Sequence, residues 1–308
     1  MLEVDPTVLE NSDEDYPSSG YDTSTASLTS SINQYIFENG RRYHAYYGTD
    51  KYLQPTDEKE QDRLDLQHEN MRLAWKEKLY EAPLEDPQRI LDIGTGTGIW
   101  AIEMADKFPM AEVIGTDLSP IQPSWMPTNC RFEVDDATLD WTFKSDFFDF
   151  IHARNISTGV NSWEHLTSEM MRCTTPGGYV ELRELNIDIF CDDGSMKPDN
   201  ALKVWTDLMR ESLIKMGFED VTVLKAMEPV GPWAKDPTMK RLGAMVLLNM
   251  ESAFESYGMA AFTRVLDMDV DKARGLCEAA RRASRNKNYH TYTYYYRAYG
   301  RKPMIEKQ

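Results

Sequence analysis

The feature that most constrains the fold is a glycine-rich turn within Ile90–Trp100, which reads ILDIGTGTGIW. An apolar strand runs into three alternating glycines, and a helix-forming segment follows. Glycine is needed where the backbone turns sharply or where a ligand must approach main-chain atoms closely. The first turn of the following helix leaves N–H donors free for a polar ligand. The segment therefore predicts a strand–loop–helix unit at the ligand-binding edge of an α/β sheet.

Downstream of Pro87, short apolar strands alternate with helices, which predicts an α/β fold with a doubly wound, mostly parallel sheet. Six tyrosines between Tyr289 and Tyr299 indicate a final strand. The other predicted strands are Arg89–Gly94, Glu112–Asp117, Cys130–Asp135, Phe147–Arg154 and Gly178–Arg183. The predicted helices cover residues 57–80, 98–107, 162–173, 200–216 and 238–257.

The amino-acid composition argues against nucleic acid and membrane partners. The chain has 308 residues, with 34 Lys and Arg against 51 Asp and Glu, for a net charge of −17. Because this field repels a polyanion, we expect no nucleic acid partner. No run of 18 apolar residues and no basic and apolar leader is present, so we expect neither a membrane span nor a secretory signal. Four scattered cysteines without a CxxC pair suit free thiols in the cytoplasm, or alternatively in the nucleus.

Three regions are predicted. Residues 1–33 form an acidic arm rich in Ser and Thr, and its first 30 residues contain no Lys or Arg. Such a stretch buries too little apolar surface to offset the entropy of ordering, so we expect disorder. Residues 34–86 are expected to form a helical cover. Residues 87–303 are expected to form the ligand-binding domain, including a helical substrate lid around 186–268 that is rich in Met and aromatic residues.

Acidic residues occur at three successive predicted strand ends, at the glycine turn and after it. Asp92 lies two residues before the first glycine, Asp117 ends the next predicted strand, and Asp135 and Asp136 end the one after it. A carboxylate such as Asp117 can accept both hydroxyls of a ribose. A dinucleotide-binding G-x-G-x-x-G fingerprint would require glycine at position 99, where this chain has Ile99. The three strand ends together therefore favour a nucleoside ligand other than NAD.

These residues resemble the class I S-adenosylmethionine (SAM) methyltransferases, and more specifically the fungal LaeA-like methyltransferases of secondary metabolism. The resemblance covers roughly residues 35–302. The D-x-G-x-G-x-G loop carries the superfamily resemblance. The segments ENGRRYHAY (38–46), DRLDLQH (62–68) and GTDLSPIQP (115–123) carry the closer one.

The resemblance implies SAM as the cofactor. Asp92 would lie near the methionine ammonium, Asp117 would bind the ribose, and Leu118 would face the adenine ring. The segments around Tyr43 and His68 would fold over the cofactor. The full set of implied cofactor-binding residues is Tyr43, His68, Asp92, Gly94, Gly96, Thr97, Gly98, Asp117, Leu118, Asp136 and Ala137.

Methyl transfer requires donor and acceptor to be close, aligned and shielded from water, and a hydroxyl or amine acceptor can need a general base. His152 and Glu184, at the ends of the fourth and fifth strands, are the candidate bases, although a structural role explains each of them equally well. Arg154 could bind an acidic group of the substrate, or pair with Glu181 or Glu184. Three other histidines (His44, His165 and His290) lack ligand spacing, so we expect no metal site.

Three functions remain open from the sequence. The first is methylation of an oxygen or nitrogen of a small molecule in fungal secondary metabolism. The second is a nuclear regulator that binds SAM and works through protein partners. The third is a non-methylating enzyme that uses SAM only as a structural or electrostatic element.

Overall fold

The computed structural model describes residues 34–48, 51–185, 188, 190–194, 199 and 224–302. The predicted acidic arm and the predicted helix at 200–216 lie outside these residues. The strands are β1 Tyr35–Glu38, β2 Arg41–His44, β3 Arg89–Ile93, β4 Glu112–Asp117, β5 Cys130–Val134, β6 Phe148–Arg154, β7 Thr174–Leu185, β8 Leu224–Pro229 and β9 Tyr292–Arg301. The helices are α1 Glu58–Ala74, α2 Ile99–Lys107, α3 Trp163–Cys173, α4 Pro237–Ala260 and α5 Val270–Ser284.

Seven strands form the central sheet in the order β5-β4-β3-β6-β7-β9-β8. Strands β3 to β7 pair in parallel, whereas β9 is antiparallel to both β7 and β8. The predicted doubly wound sheet with a final antiparallel strand is confirmed. The last strand does not form the edge, however, because β8 pairs with its far side. Since β8 is antiparallel to β9, it runs in the same direction as β7, and its carboxyl end lies at the same edge of the sheet.

Both faces of the sheet are covered by apolar side chains. Ile90 packs with Trp100 of α2 on one face, whereas Leu91 and Ile93 pack with Leu166 of α3 on the other. This alternation follows from the period of two along a strand. Because both faces are buried, the pairing register of β3 with its neighbouring strands is fixed, and so is the position of the glycine turn at its end.

Four elements differ from the sequence predictions. The region 34–86 is not wholly helical, since β1 and β2 form an antiparallel hairpin. The predicted helix at 57–80 ends at Ala74 because Lys76 and Glu77 adopt left-handed φ angles of 54° and 63°. The predicted helical lid contains strand β8. The final strand begins at Tyr292 because the four residues 286–289 form a turn, closed by a bond from the Tyr289 N–H to the Asn286 carbonyl.

Helix α4 carries the additional layer of the fold. It packs against α1, α5 and β8. Its Phe254 belongs to a core cluster that also contains Tyr43 of the hairpin and Phe262, which follows α4. Helices α1 and α4 thereby cover the carboxyl edge of the sheet next to the glycine turn. None of the described helices is both long and apolar enough to span a bilayer.

Candidate cofactor and acceptor site

A cleft of about 940 Å³, which includes space open to solvent, lies at the carboxyl ends of β3, β4, β5 and β6. This is where open α/β sheets bind ligands. Helix α1 and the segment that follows the β1–β2 hairpin close it from above. The predicted cofactor residues that line it are Gly94, Gly96, Thr97, Asp117, Leu118, Asp136 and Ala137.

The glycine turn has the backbone that its sequence predicts. Gly94, Gly96 and Gly98 have φ angles of 64°, 60° and 81°, a region that side-chain-bearing residues rarely adopt. A Cβ at Gly94 would lie 2.4 Å from Ile156, and a Cβ at Gly98 would lie 2.4 Å from Phe132. A Cβ at Gly96 would meet only Leu64, at 3.6 Å. Packing therefore requires glycine at 94 and 98, whereas Gly96 leaves room above the backbone on the cleft side.

Neighbouring side chains hold this turn in place. The Gln122 side-chain amide donates to the Gly96 carbonyl at 2.7 Å and to the Ser119 carbonyl at 3.0 Å. The Thr97 hydroxyl donates to Asp65 of α1 at 2.6 Å. The DLSPIQP segment (117–123) thus holds the glycine turn through Gln122 and lines the cleft through Asp117 and Leu118.

Asp117 ends β4 with both carboxylate oxygens directed at backbone donors. One oxygen accepts from the Gly96 N–H at 2.8 Å, and the other accepts from the Ser119 N–H at 3.0 Å. Burial raises the pKa of Asp117 to about 6, and the two N–H donors oppose that rise. The carboxylate is thereby fixed in position and still lines the cleft, as a group that accepts ribose hydroxyls must.

Asp136 is fixed in a different way. One carboxylate oxygen accepts from the backbone N–H and the hydroxyl of Thr138, at 2.9 and 2.8 Å. The other lies 2.7 Å from the ammonium of Lys51. Leu118 and Ala137 supply apolar surface beside it. This end of the cleft can take a flat, partly polar ring such as adenine.

Four predicted cofactor residues do not line the cleft. Asp92 is buried, and its oxygens accept from the Thr95 hydroxyl at 2.7 Å and from His152 at 2.8 Å. Gly98 begins α2 beneath Phe132, away from the ligand side. Tyr43 and His68 are also buried outside the lining.

Two residues that cover the cleft were not predicted from the sequence, whereas Gln67, next to the predicted His68, does line it. Tyr43 lies under the Arg264 guanidinium in the core cluster of the hairpin and does not line the cleft. Tyr52 and Gln54 line the cleft instead, joined by a 2.6 Å hydrogen bond. They follow the recognised ENGRRYHAY segment by only a few residues. Their closeness to that segment is the one feature of the sequence that could have identified them as part of the cover.

His152, predicted from the sequence as a catalytic base, lies outside the lining of the cleft, and its catalytic role stays a prediction. The ring is completely buried, does not line the cleft and stacks on Trp100, with centroids 3.8 Å apart. Its Nδ1 donates to Asp92 at 2.8 Å, and burial lowers its pKa, so the ring is neutral near pH 7. Asp92 and His152 are register partners on adjacent parallel strands. Together they form a structural pair beneath the glycine turn.

Arg154 lines the cleft and pairs with neither Glu181 nor Glu184. Its guanidinium donates to His68 Nδ1 at 2.8 Å, and His68 Nε2 in turn donates to Glu103 at 3.1 Å. Burial and the nearby Arg154 charge lower the pKa of His68 despite the Glu103 carboxylate. His68 therefore positions Arg154 from behind the cleft wall.

His68, Glu69 and Glu103 are close enough together to hold a metal ion. Arg72 pairs with both glutamates at 3.9 and 2.9 Å, which satisfies their charges without a cation. The expectation that the protein has no metal site stays a prediction.

Glu184 does not line the cleft either. Its carboxylate accepts from the Ile156 N–H at 2.9 Å, and it also accepts bonds from Ser157. Burial raises its pKa to about 7. Glu184 thus anchors the loop after β6, which carries Asn155 and Ile156 into the lining. Its predicted catalytic role has no support in this position.

The residues present fit SAM. Room above Gly96 allows close approach to the backbone, Asp117 offers a fixed acceptor for hydroxyls, and Leu118 and Ala137 flank the position of a flat base. The volume is within the range of small-molecule sites.

Comparison with known proteins supports the same cofactor. Residues 66–224 match the family model described as a methyltransferase domain. Methyltransferase pytC of Aspergillus terreus is 36% identical over 298 residues, covering 90% of this chain and 91% of that protein. Secondary metabolism regulator LAE1 of Cochliobolus heterostrophus is 35% identical over 284 residues, covering 84% and 92% of the two chains. Protein-methionine methyltransferase laeA of Emericella nidulans is 32% identical over 298 residues, covering 90% and 79%. The chain belongs to the SAM-dependent methyltransferases, in the group of fungal relatives that includes pytC and the LaeA regulators of secondary metabolism.

Proposed function

We propose that this chain transfers the methyl group of SAM to an oxygen or nitrogen of a small molecule in fungal secondary metabolism. The observation that carries the proposal is a second cavity beside the cofactor cleft, with a volume of about 650 Å³ that also includes space open to solvent. Gln67, Met71 and Tyr257 line both spaces. A donor in the cleft and an acceptor in the second cavity would therefore meet across the same three side chains.

SAM supplies an electrophilic methyl group on a sulfonium, so the main work of the chain is to position donor and acceptor and to exclude water. Helices α1 and α4 enclose the junction between the two spaces. Tyr257 of α4 faces Arg63 of α1, with the guanidinium 4.9 Å from the ring centroid. Arg63 also bonds Glu60 and Gln67, at 2.7 and 2.8 Å. This buried network holds the junction residues Gln67 and Tyr257 at fixed positions.

We propose three functional regions with the boundaries expected from the sequence. These regions are an arm at residues 1–33, a cover at 34–86, and the SAM-binding domain at 87–303 with a substrate lid around 186–268. Helix α1 and the segment that follows the hairpin close the cleft, which supports this assignment of the cover. A cytoplasmic or nuclear location belongs to the same proposal.

Calorimetric titration with SAM and, separately, NADH tests the cofactor assignment. We expect micromolar SAM affinity, no NADH binding, and a loss of at least a hundredfold in SAM affinity in Asp117→Ala, because two hydroxyl contacts to a charged group are removed. Asp140→Ala, which alters an exposed carboxylate outside the cleft, is the matched control. Folded wild-type protein that does not bind SAM would overturn the proposal.

A second function is favoured by the names of the relatives. LAE1 and several laeA proteins are secondary metabolism regulators, and the Emericella nidulans relative is a protein-methionine methyltransferase. Metabolite profiles of a gene-deletion strain separate the two functions. Loss of one methylated product with accumulation of its unmethylated precursor supports the metabolite enzyme. Changes across many unrelated products would support a regulator.

A further inference from the structure

The second cavity, which we call the acceptor chamber, is mostly apolar. Helices α1 and α4 form two of its walls, and the ends of β7, β8 and β9 form its floor. Its apolar lining residues are Met71, Leu185, Val246, Met250, Ala253 and Phe254. Its volume suits one small organic molecule.

Two residues that line the chamber each have a buried acceptor atom without a hydrogen-bond partner among the described residues. Glu228 is 4% exposed, and its Oε1 has no hydrogen-bond partner among the described residues. Asn70 is also 4% exposed, and its Oδ1 is likewise unpartnered within the described chain. Buried polar atoms are normally paired, so each unpaired one requires an explanation. Both atoms are acceptors, so a molecule that satisfies them must bring hydrogen-bond donors.

The position of Glu228 follows from the sheet. Strand β8 runs parallel to β7, and Glu228 pairs in register with Thr293 beyond the end of β7, where Leu185 pairs with Tyr295. Side chains alternate along β8, so Glu228 faces α4 and the chamber while Met227 faces outward and is 39% exposed. Glu228 is thereby brought to the edge of the sheet that carries the cofactor cleft.

Burial of Glu228 has an electrostatic consequence. Desolvation raises the pKa of its carboxyl to about 7. The other titratable side chains that line the chamber are Tyr257 and Tyr295, whose own pKa values are raised by burial. No cationic side chain lines the chamber among the described residues. An anionic ligand would therefore meet a carboxylate and an amide oxygen, with no cationic side chain among the described lining residues to pair with.

We propose that the acceptor chamber binds the methyl acceptor, and that Glu228 and Asn70 select apolar molecules carrying a hydroxyl or amine donor over carboxylates and donor-free carbonyl compounds. This inference rests on the function proposed above and names its substrate class. Glu228 is a substrate-binding group in this scheme.

Methionine methyl NMR provides a test that needs no turnover. Met250 lines only the chamber, Met71 lines both chamber and cleft, and Met110 is 82% exposed elsewhere. Protein labelled with [¹³C-methyl]methionine is titrated at pH 8 with four probes of similar size. Two carry donors, 2-phenylethylamine and 4-ethylphenol; two do not, 3-phenylpropionate and propiophenone. Met→Leu variants assign the resonances.

We expect at least one donor probe to shift Met250 and Met71 saturably, at least tenfold more tightly than either donor-free probe, while Met110 does not move. Glu228→Gln should weaken that probe about tenfold, because a hydrogen bond to a charged group is lost. Glu112→Gln, at the opposite end of the sheet, should not. Preference for the amine would indicate nitrogen acceptors, and preference for the phenol would indicate oxygen acceptors. Equal affinities for all probes, no response of Met250, or no effect of Glu228→Gln would overturn the proposal.

Titration with S-adenosylhomocysteine separates this inference from the proposed function. Binding in the cleft should shift Met71 more than Met250. If Met71 responds to this ligand but Met250 responds to no probe, only the chamber assignment fails. If neither this ligand nor SAM binds, the proposed function fails as well.

Discussion

Asp117 and Glu228 are carboxylates at the same edge of one sheet, and both have raised pKa values. Asp117 accepts two backbone N–H bonds, and its pKa is about 6. Glu228 has an unpartnered oxygen, and its pKa is about 7. The cofactor side is therefore organised before the ligand arrives, whereas the acceptor side leaves its polar groups for the substrate to satisfy. A cleft for one constant ligand gains from polar groups that are already held in place, while a chamber that selects substrates gains from acceptors that only the right substrate satisfies.

The largest expected effect concerns the cofactor side. Gly98→Ala places a Cβ 2.4 Å from Phe132 at a φ of 81°, and we expect unfolding free energy to fall by about 4 kcal/mol. Gly96→Ala is the matched control, because its Cβ meets only Leu64 at 3.6 Å. It should cost about 1 kcal/mol in stability yet weaken SAM binding. Urea titration and calorimetry measure the two quantities, and equal stability of the two variants would contradict a turn set by packing.

The next effect concerns the acceptor side and depends on pH. The pKa of Glu228 rises from 4.5 to about 7 on folding, so the folded protein binds this proton more tightly than the unfolded chain does. The resulting stability is fully present below pH 4.5 and is lost as pH rises through 7. At pH 8, Glu228→Gln should therefore be more stable than wild type by about 3 kcal/mol, with the gap closing toward pH 5.

Urea titration of both proteins across this pH range measures the gap. Glu184→Gln serves as a comparison, since Glu184 also has a raised pKa of about 7 but accepts bonds from Ile156 and Ser157. A Glu228→Gln gap that does not change with pH would show that Glu228 is paired in solution. The contrast with Asp117 would then disappear.

The smallest expected effect tests whether His152, which lies behind the cleft, contributes to SAM binding. His152→Phe keeps an aromatic ring on Trp100 but removes the donor to Asp92, which should cost about 2 kcal/mol of stability. SAM affinity should change by less than about threefold, because His152 does not line the cleft. A large loss of affinity with unchanged stability would contradict this expectation and place His152 in the cofactor site.

The two sides also differ in how far the sequence predicts them. The strand ends at Gly94, Asp117 and Asp136 were predictable because a turn follows its strand within a few residues, and parallel strands bring their carboxyl ends together. The Asp92–His152 pair was not, since it depends on which strands are adjacent and in what register. The chamber was least predictable. Its walls come from α1, α4, β8 and β9, and no local pattern places Asn70 beside Glu228.

The position of β9 has a consequence for synthesis of the protein. Strand β8 pairs only with β9 in the described sheet, yet β9 begins at Tyr292, more than 60 residues after β8 begins at Leu224. Strands β3 to β7 can pair as they leave the ribosome, whereas β8 must wait for β9. The nascent chain can thus form the strand ends of its cofactor cleft early, but it completes the acceptor chamber only after Tyr295 has been synthesised. Until then the carboxylate of Glu228 stays in water, where its charge costs nothing.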